Sequence, residues 1–320
     1  MSNFKFSLVV GLMGIGLLSG CNSKSESSGM QVSETSYNLD EIKTVTVECH
    51  RDSLPVLVNI EDMYNYDNDL LVATNADTFA FYRFSLEDLS LKDRFGKRGQ
   101  GPDESPYPNI CVTKSPRPLY MIDSSRQRMY NMADKTDTVF IGYELMNQAR
   151  EIDFPCIGYY RLNGRGCELC LLDIESGKLT DSLDISEKFP ELKNSSIVWD
   201  ANSNKAVVAF IKVDAILVLD ISSGKISKCL IGKGSKPEGT IMFGQVQCMK
   251  NCFAVLNFSE LESEGSQVIF FDYECNPIIA INPGIKVRRM MCDVKKRRVV
   301  MLGLEDDYIY SFQIPESIKI

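Results

Sequence analysis

Lys205-Ala206-Val207-Val208-Ala209-Phe210-Ile211, Ala215-Ile216-Leu217-Val218-Leu219-Asp220, Ile221-Ser222-Ser223-Gly224 and Lys225-Ile226-Ser227-Lys228-Cys229-Leu230-Ile231 decide the fold. The three apolar runs are β-branched and too short for buried helices. The Asp, Ser and Gly between the last two runs supply a tight turn. With Ser195 to Asp200 in front, the unit reads as four antiparallel strands. The same cadence precedes it in Glu168-Leu169-Cys170-Leu171-Leu172-Asp173, Ile174-Glu175-Ser176-Gly177 and Lys178 to Leu183, which share the turn Asp-Ile-x-Ser-Gly-Lys. A less similar copy follows in Gln267 to Asp272, Tyr273-Glu274-Cys275-Asn276 and Pro277 to Ile281.

Extended both ways, the cadence divides the chain at about 54–106, 107–147, 148–194, 195–243, 244–285 and 286–320. A period of roughly 40 to 50 residues in four-stranded units is that of a propeller blade. The expected fold is therefore all-β, a six-bladed β-propeller of four-stranded antiparallel blades occupying residues 41–320. The last unit holds three good strands, and the alternating segment Ile42-Lys43-Thr44-Val45-Thr46-Val47-Glu48-Cys49 is the expected fourth. An N-terminal strand completing the last blade closes the ring and leaves no continuous open edge. A pair of β-sandwiches would instead need a linker near mid-chain, and there is none.

Phe95-Gly96-Lys97-Arg98-Gly99-Gln100-Gly101-Pro102-Asp103-Glu104 follows the first unit. This Gly-x-x-Gly-x-Gly-Pro-x-Glu loop resembles a marker of the six-bladed TolB-like and NHL-like propeller lipoproteins. The resemblance spans the domain but is sharp only in that loop. It implies the fold and a binding role, not an activity.

The N-terminus carries one charge, Lys5, then an apolar stretch from Phe6 to Leu18. It is too short for a comfortable span and reads as a signal peptide, residues 1–20. Leu18-Ser19-Gly20-Cys21 is similar to the lipidation box of bacterial lipoproteins, so Cys21 is the expected lipid anchor. The small polar residues that follow are expected to be a flexible tether, residues 21–40. Asn22 is not the aspartate of an inner-membrane retention signal, which points to the outer membrane of the cell envelope.

Net charge is −8. An acidic chain excludes nucleic acid as the expected partner. Beyond Cys21 ten cysteines remain, most inside apolar runs as small hydrophobes. Cys167 and Cys170 sit three apart in a strand and so point to opposite faces. Cys248 and Cys252 bracket a short turn and are the candidate disulfide.

Gly232-Lys233-Gly234-Ser235-Lys236-Pro237-Glu238-Gly239 echoes the marker loop after the fourth unit. Lys97, Arg98, Gln100, Lys233 and Lys236 are thus a candidate ligand-binding rim, set against a reading in which the loops merely link blades. No Lys-Ser/Thr pair or following helix supports a phosphate loop. His50 is the only histidine, which excludes multi-histidine zinc sites and leaves little room for a triad. The single Trp199 reads as packing, and sialidase turns and kelch Gly-Gly pairs are absent. Asp67-Asn68-Asp69 offers oxygens for calcium but reads as a hairpin turn. The basic residues Lys286, Arg288, Arg289, Lys295, Lys296, Arg297 and Arg298 read as a solvated hairpin.

These residues point to a lipid-anchored, monomeric binding module for a protein or glycan, with no catalytic residue, metal or cofactor expected. The alternative is a hydrolase or lactonase centred on the channel, using carboxylates and calcium.

Overall fold

The structure, a computed structural model, describes residues 32–55, 59–75, 78–114, 116–134, 138–141, 146–163, 166–192, 195–231, 243–258, 266–304 and 308–320. Cys21 and residues 1–20, where a signal peptide is expected, lie outside these residues. Three short strands come first: β1 (Val32–Tyr37), β2 (Thr44–Thr46) and β3 (His50–Asp52). Blade one is β4 (Ile60–Tyr66), β5 (Asp69–Thr74), β6 (Phe79–Ser85) and β7 (Leu91–Lys97). Blade two is β8 (Pro108–Cys111), β9 (Tyr120–Asp123), β10 (Arg128–Asn131) and β11 (Thr138–Phe140). Blade three is β12 (Asn147–Asp153), β13 (Cys156–Asn163), β14 (Gly166–Asp173) and β15 (Lys178–Asp184). Blade four is β16 (Ile197–Ala201), β17 (Lys205–Phe210), β18 (Ala215–Asp220) and β19 (Ile226–Ile231). Blade five is β20 (Phe243–Cys248), β21 (Cys252–Asn257), β22 (Gln267–Asp272) and β23 (Pro277–Asn282). Blade six is β24 (Val287–Asp293), β25 (Arg298–Gly303), β26 (Ile309–Gln313) and β3. Sheet order shows the six-bladed propeller, and the blades follow the six expected units, except that Asn147 and Phe243 open blades three and five instead of ending the units before them.

The continuous apolar runs have a simple cause. Side chains alternate across a strand, and each blade is covered on both faces, so both sets must be apolar. Val207, Ala209, Ile216 and Val218 of blade four face blade five, in a cluster with Val246, Phe253, Val255 and Phe271. Ala206, Val208, Phe210, Leu217 and Leu219 face blade three, in a cluster with Ile152, Cys167 and Leu169. Each remaining neighbouring pair of blades shares a cluster of its own. Cys167 and Cys170 fall in different clusters, as their spacing requires.

The shared turns follow the sequence repeat. Asp220 accepts from the Ser222 and Ser223 amides at 3.1 and 2.8 Å, and Asp173 accepts from the Ser176 amide at 2.8 Å. Gly177 and Gly224 take φ of 66° and 70°, the left-handed region that suits glycine. In the third copy the turn is one residue shorter, and Cys275 holds the left-handed position at φ 69°. Asp67-Asn68 is the hairpin turn between β4 and β5, with Asp67 at φ 60°.

The closing strand is present but displaced from the expected segment. His50–Asp52, not Ile42–Cys49, pairs with β26, with Ser311 opposite His50 and Ile309 opposite Asp52. Thr44–Thr46 instead runs parallel to β23 as a fifth strand of blade five. Val32–Tyr37, expected within the tether, runs parallel to β19 as a fifth strand of blade four. The segment thus forms a belt across the outer edges of blades four, five and six. Its alternation serves this role because only one face is buried: Ile42 packs between blades four and five, and Val45 and Val47 between five and six.

Cys248 and Cys252 are free thiols rather than a disulfide. The β20–β21 hairpin places Cys248 opposite Phe253, and Cys252 closes the turn against Met249 with an N–O distance of 2.9 Å. That offset sends the two sulfurs to opposite faces of the blade, into different clusters.

A chain starting at residue 47 keeps β3 and loses β1 and β2, whereas one starting at residue 53 loses all three. Equilibrium urea unfolding is expected to show the second less stable than the first by about 2 kcal/mol or more, the loss of a few ladder bonds and of closure. Equal stabilities would place ring closure elsewhere.

Candidate binding cavity

Four inner strands carry the same irregularity near their start, in blades one, three, five and six. One extra residue interrupts the ladder between Ile60 and Asp62, between Asn147 and Arg150, between Phe243 and Gln245, and between Val287 and Arg289. Such a bulge re-aims the side chain that follows it. The residues just after it are Asp62, Arg150, Gln245 and Arg289, and all four join polar contacts at the centre of the ring.

Gln245 donates from Nε2 to Asp62 Oδ1 at 2.9 Å and accepts from the Met290 amide at 2.6 Å. Arg289 Nε lies 3.8 Å from Asp62 Oδ1. Arg150 Nε lies 3.3 Å from Asp200 Oδ1, with the two side chains only 10% and 15% exposed. Asp200 Oδ2 accepts from the Cys248 amide at 2.7 Å, and the Arg150 guanidinium stands 5.1 Å from the centre of the Tyr64 ring. Burial raises the Asp200 carboxyl above the usual carboxylate range, against the pull of Arg150 and the Cys248 amide. Amide side chains also lace neighbouring blades, Asn65 to the Cys292 carbonyl, Asn109 to Met146 and Asn202 to Met249.

A cavity of 420 Å³ opens where blades one and two meet the axis. Its lining comes from the starts of inner strands, the β5–β6 connection and the link from β7 to β8, so it lies on the face bearing those connections. Tyr64, Ala73, Ala80, Phe81 and Met146 give it apolar walls. Glu61, Asp62, Asn75, Arg98, Asn109, Asn147 and Arg289 supply polar atoms, and Tyr107 stands at the rim with 76% of its surface exposed. Several of these are already tied down: Asn75 donates to Glu61, Arg289 Nε donates to the Glu61 carbonyl at 2.6 Å, and an Arg98 amino group donates to the Thr74 carbonyl. Arg98 Nε is buried and has no hydrogen-bond partner. The cavity therefore offers cations, carboxylates and amides over an apolar floor, without a net excess of either charge.

The candidate rim separates into its members. Lys97 pairs with Glu104 at 2.7 Å, which raises the Lys97 ammonium and lowers the Glu104 carboxyl from their ordinary values. Glu104 also accepts from the Gly101 amide at 3.0 Å, and a Cβ on Gly99, at φ 152°, would strike its carboxylate. The Gly101 carbonyl accepts from Arg126 at 2.8 Å and the Gln100 carbonyl at 3.5 Å. The marker loop is thus a hydrogen-bonded knot, and of its residues it is Arg98 that reaches the cavity. Lys233 and Lys236 lie outside the described residues.

His50 sits on β3, 3.2 Å from Asp52 and not among the cavity residues. Trp199 is an inner-strand packing residue, its indole against Gly158, where a Cβ would come within 2.5 Å. The basic run of blade six is dispersed: Arg289 to the cavity, Lys295 to Asp67, Arg298 to Asp293 at 3.1 Å, and Arg297 to the carbonyls of Pro315 and Ile318. Sequence reading missed Glu61, Asp62, Tyr107, Asn109 and Arg289 as cavity residues. The available signal was polar residues recurring at the start of inner strands.

Fold and axis together define a six-bladed propeller with polar contacts at its centre and a cavity on the face that carries the β5–β6 and β7–β8 connections. No family model matches the chain, and no curated protein matches it. Solved structures do. The chain is similar to U3-55K at TM-score 0.52 and 9% identity, covering 83% of this chain and 98% of that one. It is similar to the WD40 repeats of RRP9 at TM-score 0.52 and 9% identity, covering 84% and 98%. At this identity the likeness is one of fold.

Arg150→Met would leave Asp200 buried without its counter-ion, an expected loss of about 3–5 kcal/mol at neutral pH in urea unfolding. Asp200 already has a raised folded-state pKa, so the loss should shrink as pH falls through the carboxylate range, where protonation removes the unpaired charge. A loss independent of pH would show that the ion pair is not its source.

Proposed function

We propose that the protein is an envelope lipoprotein, anchored at Cys21 after removal of residues 1–20, whose propeller is a non-catalytic docking module for a partner protein. The cavity between blades one and two carries the reading. Apolar walls with interspersed donors and acceptors suit an extended peptide segment, which brings apolar side chains together with amides and carbonyls. The likeness to WD40-repeat rings supports an interaction scaffold, and the marker loop supports kinship with the TolB-like and NHL-like propeller lipoproteins.

The central carboxylates support binding over hydrolysis. Asp200 is held by Arg150 and the Cys248 amide, and Asp62 by Gln245 and the Met63 amide at 2.8 Å. Among the described residues no group of three His, Cys, Asp or Glu side chains converges as a metal cage would require.

The belt also bears on the anchor. Val32 enters at blade four, across the ring from the blade-one cavity, so the tether leaves the domain on the far side of the ring. Eleven peptide steps separate Cys21 from Val32, a reach of at most about 40 Å. A lipid there would leave the cavity accessible.

Tyr107→Ala should fold normally, since its ring is largely solvated, and should lower capture of a protein partner from envelope extract at least tenfold. Undiminished capture, or capture that survives proteolysis of the extract and is competed by glycans, would refute protein docking at this cavity. Cys21→Ala is expected to move the protein from the detergent phase to the aqueous phase and to abolish labelling by radioactive palmitate. Unchanged partitioning would refute the lipid anchor.

A further inference from the structure

Cys229 and Cys275 meet across the interface of blades four and five. Cys229 lies on β19 and Cys275 in the turn between β22 and β23, and both are fully buried in the same apolar cluster. Cys229 Sγ lies 3.9 Å from the Cys275 carbonyl oxygen. The neighbouring Cys229 thiol, together with burial, holds the Cys275 thiol far above its ordinary pKa. Cys248 and Cys252, by contrast, are turned to opposite faces of their blade.

The turn around Cys275 is built rather than accidental. Asp272 accepts from the Glu274 and Asn276 amides at 3.0 and 2.7 Å, which holds Cys275 in its left-handed conformation with its side chain directed at blade four. Tyr37, at the end of β1, lies beside the pair. Its ring packs on the same cluster, and its hydroxyl donates to Asn276 Oδ1 at 3.0 Å.

We propose that Cys229 and Cys275 are a redox site, two thiols that become a disulfide clamping blade four to blade five beneath the N-terminal belt. The oxidant is a small-molecule or protein disulfide. One cysteine, as thiolate, attacks the donor disulfide, forms a mixed disulfide and expels the first donor thiolate. The second cysteine, as thiolate, then displaces the other donor thiolate. The two protons lost by the cysteines go to the two donor thiolates, so one protein disulfide forms as the donor is reduced to two thiols. Because burial disfavours the thiolate, exchange is slow once the belt is docked and fast before it docks. The proposal stands on this packing and is independent of the protein's location, since the test supplies the oxidant.

The full chain is refolded from the reduced, denatured state in a buffer of oxidised and reduced glutathione, alkylated, and digested without reduction for peptide mass spectrometry. The expected result is a linked Cys229–Cys275 peptide, with an unfolding midpoint about 5 °C or more above that of the reduced protein. Recovery of both cysteines as alkylated, unlinked peptides would overturn the disulfide. In a second arm, folded reduced protein is exposed to oxidised glutathione. Tyr37→Ala is expected to form the bond at least tenfold faster than the unaltered chain, and equal rates would overturn the gating by the belt.

Discussion

The antiparallel pairing of His50–Asp52 with β26 is the contact on which the ring depends. Each blade buries both faces against its neighbours, so no blade is complete unless the first and the last also meet. Only three residues make that pairing, and they are exposed. The load is shared by what lies on either side of them: the apolar cluster joining blades six and one, and the belt that ties the chain to blades four and five before it reaches β3. Closure is therefore distributed along some twenty residues of N-terminal chain rather than concentrated in one strand.

The centre of the ring poses the opposite problem. Six inner strands converge there, and the bulges in four of them turn polar side chains inward. A buried charge is costly unless paired, and each charge here has its partner on another blade: Arg150 with Asp200, and Asp62 with Arg289 through the company of Gln245. Such contacts add little net stability compared with apolar packing, but they are directional. They fix how blades stand relative to one another, where apolar contacts alone would tolerate sliding.

The cavity arises from the same device. On blade one the bulge delivers Glu61 and Asp62 to the open face, Arg289 arrives by the matching bulge of blade six, and the marker loop brings Arg98. The loop's glycines act locally: Gly99 admits the Glu104 carboxylate, which then secures Lys97 and the Gly101 amide. A glycine-rich, cation-bearing loop thus spends most of its polar groups on its own conformation and contributes one side chain to the site.

The sequence by itself determined the blade count, the approximate unit boundaries and the shared turns, because alternation and turn chemistry are local: Asp220, Ser223 and Gly224 need nothing beyond their own hairpin. It also determined that an N-terminal strand closes the ring. It did not determine which residues do so, since the alternation of residues 42–49 suits an edge strand of blade five as well as a closing strand, and the three residues that do close blade six are polar and exposed and carry no apolar pattern. The faces of Cys248 and Cys252 turned on a one-residue offset that no spacing reveals. The cavity, the paired axis and the meeting of Cys229 with Cys275 were decided only by the tertiary structure, because each joins residues from different blades, and a repeat specifies its own strands without specifying what the neighbouring repeat places against them.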